Sequence, residues 1–244
     1  MTVQFLGCGD AFGSGGRLQT CLSVEAGEGR FLIDCGASSL VAMRRFGADP
    51  SLIDAILVTH LHGDHFGGLP FFLLDAQWVT RRTRPLVVAG PPGLAERTRA
   101  AMDVLFPGSA ATGWRFALEL VELPERRETR IASLAVTAYA VVHASGAPAY
   151  ALRVACGGKE VAYSGDTEWT EALVDAARGA DLFVCEAYTY ERKVPNHLDY
   201  RPLAQHRGRL GCRRLVVTHL SDDMLARLPD LDVEWAEDGK TIVA

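Results

Sequence analysis

The sequence predicts an α/β chain built as a four-layer αβ/βα sandwich, two sheets packed face to face with helices outside. Three observations predict it. Short β-branched apolar runs alternate with amphipathic stretches along the whole chain. The order strand-rich, then helical, occurs twice, once in each half. No linker, repeat or low-complexity tract interrupts residues 1–244, which therefore read as one domain. Interleaved strands and helices of this kind bury their apolar faces best in stacked layers. With 244 residues and 48% hydrophobic side chains, the chain can fill a large core without disulfide staples.

In chain order, strands are expected near 2–7, 20–26 and 30–34, then a helix near 38–46 and a strand at 54–59. A helix over 66–79 follows, with Gly67 and Gly68 at its start. The run 86–89 reads as a strand because Gly90, Pro91, Pro92 and Gly93 end it. Residues 94–105 form an amphipathic helical pattern. The second half carries strands near 117–122, 130–142, 148–155, 159–164, 181–185 and 214–218, helices near 169–178 and 199–210, and a terminal strand around Thr241, Ile242 and Val243.

The chemistry concentrates in His60-Leu61-His62-Gly63-Asp64-His65, four ligand-type side chains within six residues. His60 and His62 are two apart while Asp64 and His65 are adjacent, so the run divides into two pairs facing two ions. Imidazoles with a carboxylate suit Zn²⁺, Mn²⁺ or Fe rather than the all-oxygen shell of Ca²⁺. Two ions need more donors than four. His143 follows the apolar run 134–142, Asp166 follows 159–165, and His219 follows 214–218, just as His60 closes 54–59. Four strand ends thus present a ligand-type residue to one rim, where a rigid sheet supports functional loops.

With those residues in place, the chain resembles the metallo-β-lactamase superfamily, whose ligand order is His-x-His-x-Asp-His, then His, Asp and His. The resemblance runs from Phe5-Leu6-Gly7-Cys8-Gly9 to the terminal strand. It implies the metallo-β-lactamase type of αβ/βα sandwich and two divalent metals, Zn²⁺ first, with Mn²⁺ or Fe also accepted. It implies that His60, His62 and His143 hold the first metal and Asp64, His65 and His219 the second, with Asp166 bridging. Asp34, closing the run 30–34, would support a ligand histidine from behind. Diiron oxidases of the superfamily carry Glu where this chain has His62, so a hydrolase is implied.

Within the superfamily the chain is most similar to the branch of ribonuclease Z and the cyclic phosphodiesterase of phosphonate degradation. The similarity rests on the N-terminal segment with Ser14-Gly15-Gly16, on Val184-Cys185-Glu186-Ala187-Tyr188, on Pro195-Asn196-His197, and on Val217-Thr218-His219-Leu220-Ser221. It implies catalytic roles for Asp64, for His197 as general acid toward the leaving oxygen, and for Glu186 in orienting it. A histidine with a carboxylate partner is suited to proton donation near neutrality. No tRNA-gripping arm fits between His143 and Asp166, and the net charge of −5 lacks the basic excess of a nucleic-acid footprint. The phosphonate-pathway enzyme also carries a cysteine-rich zinc site near its N-terminus, which this chain lacks.

The expected function is therefore a dinuclear metal-dependent phosphodiesterase, acting through a metal-bridging hydroxide on a small-molecule, cyclic or short nucleotide phosphodiester. No long nucleic acid is expected as a partner. The alternatives are a lactone, thioester or sulfate-ester hydrolase on the same site, or a metal-binding scaffold without activity. Arg17, Arg192, Lys193 and Arg201 are candidate substrate cations, and Trp169, Tyr188 and Tyr190 candidate aromatic walls. His206 reads as solvated, as does the Arg81, Arg82 and Arg84 cluster. The six cysteines lack metal-type spacing and suit a reducing compartment. Without a signal-like or membrane-spanning run, a cytoplasmic protein with no membrane partner is expected. An apolar helix such as 71–79 offers a face for a homodimer.

Overall fold

Side chains along each strand alternate between two faces, and that period of two builds the layers. The structure, a computed structural model, describes residues 1–27 and 29–244. In the N-terminal half, β1 (Thr2–Gly7), β2 (Cys21–Ala26), β3 (Gly29–Ile33), β4 (Ala55–Leu57), β5 (Leu86–Gly90) and β6 (Leu118–Glu122) pair in that order. The second sheet contains β7 (Thr129–Ile131), β8 (Leu134–Val141), β9 (Ala149–Cys156), β10 (Lys159–Tyr163), β11 (Leu182–Glu186), β12 (Leu215–Thr218) and β13 (Glu234–Trp235), also in sequence order. The terminal β14 (Thr241–Val243) returns to lie antiparallel beside β1, closing the first sheet at seven strands among the described residues. Both sheets are mixed. The meanders β1–β3 and β7–β10 are antiparallel, while β3–β6 and β10–β13 run parallel.

Val3 and Phe5 of β1, Phe31 and Ile33 of β3, and Leu57 of β4 turn inward. They meet Leu134 and Val136 of β8, Tyr163 of β10 and Val184 of β11 in a core between the sheets. Residues of opposite parity turn outward. Leu6, Leu32 and Ile56 pack beneath α1 (Ser39–Phe46), α3 (Leu69–Leu74) and α4 (Leu94–Leu105). Phe183, Cys185 and Val217 pack beneath α5 (Glu171–Ala177) and α6 (Tyr200–Leu210). Burying each such side chain contributes about 1.5–3 kcal/mol, which is what holds the register. No helix among the described residues is long and apolar enough to cross a membrane.

The expected elements are present, with four differences. The helix expected over 66–79 is divided into α2 (Gly63–Phe66), α3 and a π-helical turn Asp75–Val79. It breaks because the Gly68 N–H donates to Cys35 O at 2.8 Å, and a Cβ on Gly68 would lie 2.3 Å from Gly36 O. The single strand expected over 130–142 folds into the β7–β8 hairpin, turning at Ala132 with φ 51°. The two-residue β13 and the four-residue α7 (Asp222–Leu225) are too short to leave a periodic signature. Arg82 is 3% exposed rather than solvated. Its guanidinium donates to the carbonyls of Ile53, Pro85, Arg84 and Ser51 at 2.6 to 3.0 Å, anchoring the approach to β5.

Candidate metal centre

The loops that leave β3, β4, β8, β10, β11 and β12 gather at one edge of the stacked sheets and bring the expected residues together. From the first sheet come Asp34 beyond β3, and His60, His62, Asp64 and His65 beyond β4. The second supplies His143 after β8, Asp166 after β10, Glu186 at the end of β11 and His219 after β12. Each group can place one ligand atom per residue within 4.8 Å of the others: His60, His62 and His143 in one, Asp64, His65, Asp166 and His219 in the next. A third, overlapping group combines Asp166, Glu186, His197 and His219.

Local structure fixes each donor. His62 stands at the N-terminal boundary of α2, so Asp64 and His65 lie on its single turn. His62 Nδ1 and His143 Nε2 approach to 3.0 Å across the two sheets. His65 Nε2 is 3.3 Å from Asp64 Oδ2 and 3.2 Å from Asp166 Oδ1. His219 Nε2 is 3.3 Å from Asp166 Oδ2 and His60 Nε2 is 3.9 Å from it. Yet His60 Nε2, His65 Nε2 and Asp166 Oδ1 are buried without a hydrogen-bond partner. Leaving such atoms unsatisfied costs about 1–3 kcal/mol each, so donors that converge without bonding one another fit a cation between them. The donor set of imidazoles and carboxylates accommodates Zn²⁺, Mn²⁺ or Fe.

The far side of the histidines is tied to the scaffold. Asp34 Oδ2 lies 2.6 Å from His65 Nδ1, and Asp34 Oδ1 accepts the Thr59 N–H at 2.8 Å. Thr59 Oγ1 bonds Asp34 and lies 3.0 Å from His60 Nδ1. His143 Nδ1 donates to Asn196 O at 2.7 Å, and His219 Nδ1 is 3.4 Å from Thr20 Oγ1. Such outer contacts fix the tautomer and the ring direction of a metal-binding histidine. Asp34 and His219 both hold positive φ, 60° each, a strain that persists only where surrounding contacts enforce it. Gly36 makes the close approach possible, since a Cβ there would lie 2.2 Å from Asp64 O.

Burial sets the charge states. It holds the imidazoles of His60, His143 and His219 below their ordinary value, leaving neutral rings with a lone pair to offer. Burial also opposes protonation of His65, but Asp166, Asp34 and Asp64 together outweigh it and raise that ring. Burial works against ionisation of Asp64 as well, yet His65 and His219 hold its carboxyl below the usual range.

His197 bonds through Nδ1 to Glu186 Oε1, and lies 3.9 Å from Asp166 Oδ2. Glu186 is wholly buried, and its Oε2 accepts the N–H groups of Thr167 and Leu198, each at 2.9 Å. Burial and then the neighbouring Asp166 raise the Glu186 carboxyl to about 7, against the pull of His197. Burial tends to lower His197, but its bond to Glu186 prevails and raises it. The pair therefore retains a proton near neutrality. Tyr188 braces the imidazole with ring centroids 4.7 Å apart.

His197 borders a cavity of about 180 Å³ shared with His62, Asp64, Asp166, His219 and Tyr188. Phe12, 86% exposed, stands at its mouth on a loop fixed by bonds from Phe12 N, Ser14 N and Ser14 Oγ to Asp10. Sequence reasoning missed Phe12, because nothing local separates it from a core residue. Among the candidate cations, Arg17 is committed to Ala236 O at 2.7 Å and Arg201 to Glu191 at 2.5 Å. Arg192 and Lys193 are exposed, and Lys193 lines a second hollow that also touches His197. Tyr190 stacks on Tyr200 rather than facing the cavity. Trp169 stacks on His206 at 4.4 Å, so His206 is half-buried and not solvated. Among the cysteines Cys212 is half-buried and the other five buried, and Cys8 Sγ lies 3.2 Å from Asp238.

Two mixed sheets with a His/Asp metal-binding site at the strand ends define a hydrolase of the metallo-β-lactamase fold. Residues 29–220 match the family described as Beta-lactamase superfamily domain, and the chain belongs to that family. It is similar to the ribonuclease Z of Agathobacter rectalis, 26% identical over 273 residues, covering 88% of each chain. The human tRNase Z short form superposes with a TM-score of 0.80 at 24% identity, covering 100% of this chain and 99% of that one. A diphosphatase from the PhnP family superposes at 0.78 with 20% identity, covering 100% and 97%.

Proposed function

We propose that this chain is a dinuclear metal-dependent phosphodiesterase acting on a small-molecule, cyclic or short nucleotide phosphodiester. The observation that carries the reading is the bond from half-buried His197 to buried Glu186, with His197 lining the same cavity as His62, Asp64, Asp166 and His219. His60, His62 and His143 would hold one cation and Asp64, His65 and His219 the second, with Asp166 shared between them. Cations held there supply polarisation of the phosphoryl oxygen and lower the pKa of water.

The chain's own groups do the rest. Glu186 accepts Nδ1–H of His197 and keeps the ring protonated, so Nε2–H is available to the departing alkoxide. Tyr188 holds the ring against rotation, and Asp34 holds His65 in one orientation. A leaving group that departs as alkoxide gains most from this donor, which favours phosphodiesters over thioesters, whose thiolate departs without a proton. Relatives named ribonuclease Z support cleavage of phosphodiester bonds. The small cavity and the net charge of −5 favour a short substrate.

The test is turnover of bis(p-nitrophenyl) phosphate and of a thymidine dinucleotide by metal-loaded protein, beside His197→Ala. The variant should lose about 100-fold or more on the dinucleotide, whose leaving group needs a proton, and much less on the nitrophenyl ester. Absence of turnover on both diesters with two metals bound would sink the phosphodiesterase reading. A panel of lactones, thioesters and sulfate esters would then identify the bond cleaved.

A further inference from the structure

Glu168 closes a hydrogen-bonded ring around the segment that carries His197. Its backbone N–H donates to Val142 O at 3.0 Å, immediately before His143. Its Oε1 accepts the backbone N–H of Asn196 at 2.9 Å. Asn196 O accepts from His143 Nδ1 at 2.7 Å, which returns the ring to its start. Asn196 has a φ of 66°, a left-handed conformation that asparagine tolerates better than most residues. Just beyond it, His197 Nδ1 and the Leu198 N–H are both held by Glu186. Residues 196–198 are thus suspended between two carboxylates, Glu168 on one side and Glu186 on the other.

Thr167 fastens the same assembly from beneath. Its Oγ1 accepts the Val142 N–H at 3.1 Å, and its own N–H donates to Glu186 Oε2 at 2.9 Å. The consequence is a mechanical link. Asn196 is bonded to the ring of His143 and adjoins His197 in the chain, so its position bears on both. Glu168 itself is half-buried and belongs to none of the potential metal-binding groups among the described residues.

Resting on the reading of His143 as a metal ligand and His197 as the acid, we propose that Glu168 is a positioning residue. It fixes both histidines together through the backbone of Asn196. What this position needs is an acceptor at the reach of Oε1, not a charge.

Calorimetric titration of the chelator-stripped protein with Zn²⁺ tests this, comparing wild type, Glu168→Ala and Glu168→Gln, with kcat and KM on the thymidine dinucleotide measured in parallel. Glu168→Ala should weaken one of the two Zn²⁺ binding steps about 10-fold and leave the other unchanged. Its kcat should fall by a similar factor with KM preserved. Glu168→Gln, whose amide oxygen still accepts the Asn196 N–H, should behave as wild type. Two intact steps in Glu168→Ala, equal weakening of both, or a Glu168→Gln as impaired as Glu168→Ala would each overturn the proposal. Should Glu168→Ala fail to fold, Glu168→Asp retracts the acceptor by one methylene and carries the same expectation. A wild type that takes up fewer than two Zn²⁺ sinks the dinuclear reading and this inference with it, a result distinct from intact steps in both proteins.

Discussion

Asp34 Oδ2 stands 2.6 Å from His65 Nδ1 with both side chains wholly buried, while His65 Nε2 faces Asp64 and Asp166 on the other side. One imidazole therefore links the cluster to the end of β3. Asp34→Asn preserves shape but removes the charge that orients and polarises the ring, and should weaken Zn²⁺ binding about 10- to 100-fold. Asp34→Ala also strands Thr59 N and Oγ1, which should cost about 1–3 kcal/mol in thermal or urea denaturation. Wild-type Zn²⁺ affinity in Asp34→Asn would show that the contact serves packing alone.

The Glu186–His197 pair makes a signed prediction about pH. The buried carboxylate raises the proton affinity of His197, so the acid form survives to higher pH than in a free imidazole. Activity that needs this proton is present below the raised value and lost as pH rises through it. Glu186→Gln removes the charge, so the alkaline limb of the kcat profile should move to lower pH, with kcat reduced about 10-fold or more. An unmoved limb would assign it to another group.

Two glycines should respond in opposite directions. Gly36→Ala places a Cβ 2.2 Å from Asp64 O, so the loop beyond β3 must withdraw from the His/Asp turn. The expected cost is about 1–3 kcal/mol, together with lower metal occupancy. Gly208 lies inside α6 with open space around its Cβ position. Gly208→Ala should stabilise by about 0.5–1 kcal/mol and leave metal content unchanged. Denaturation midpoints and metal analysis read both.

Phe12 is exposed at the cavity mouth, so removing it should change folding stability by no more than about 0.5 kcal/mol. Its loop is tied to Asp10 by three hydrogen bonds, and an aromatic face held there can stack on a substrate ring. Phe12→Ala should raise KM for bis(p-nitrophenyl) phosphate several-fold while kcat is kept. Unchanged KM would show that the substrate passes it by.

The stacked-sheet architecture was legible because strands such as β3 and β11 are short, nearly continuous apolar runs, as expected of strands covered on both faces. The His/Asp residues were legible because four of them fall within one six-residue run, while His143, Asp166 and His219 each lie just beyond an apolar strand, and strand ends at a common edge converge. The supports were not legible. The Asn196 carbonyl meets His143 only because two loops 53 residues apart cross, and a backbone atom leaves no trace in residue identity. Arg17, expected as a substrate cation, and Arg82, expected as a surface charge, are bound to backbone carbonyls for a related reason. A guanidinium can satisfy carbonyls anywhere along a buried loop, and only the three-dimensional path shows which.

His60, His62, Asp64 and His65 lie beyond strands of the first sheet, and His143, Asp166, His197 and His219 beyond strands of the second, with an apolar core between the sheets. The two halves of the chain are thus the covers of a book, and the His/Asp edge is where they meet. Cations seated there would act as a clasp between the covers. Neither half alone contains a complete set of donors, so the chain must close the book before it can fasten it, and each ion bound across the edge makes the two halves harder to part.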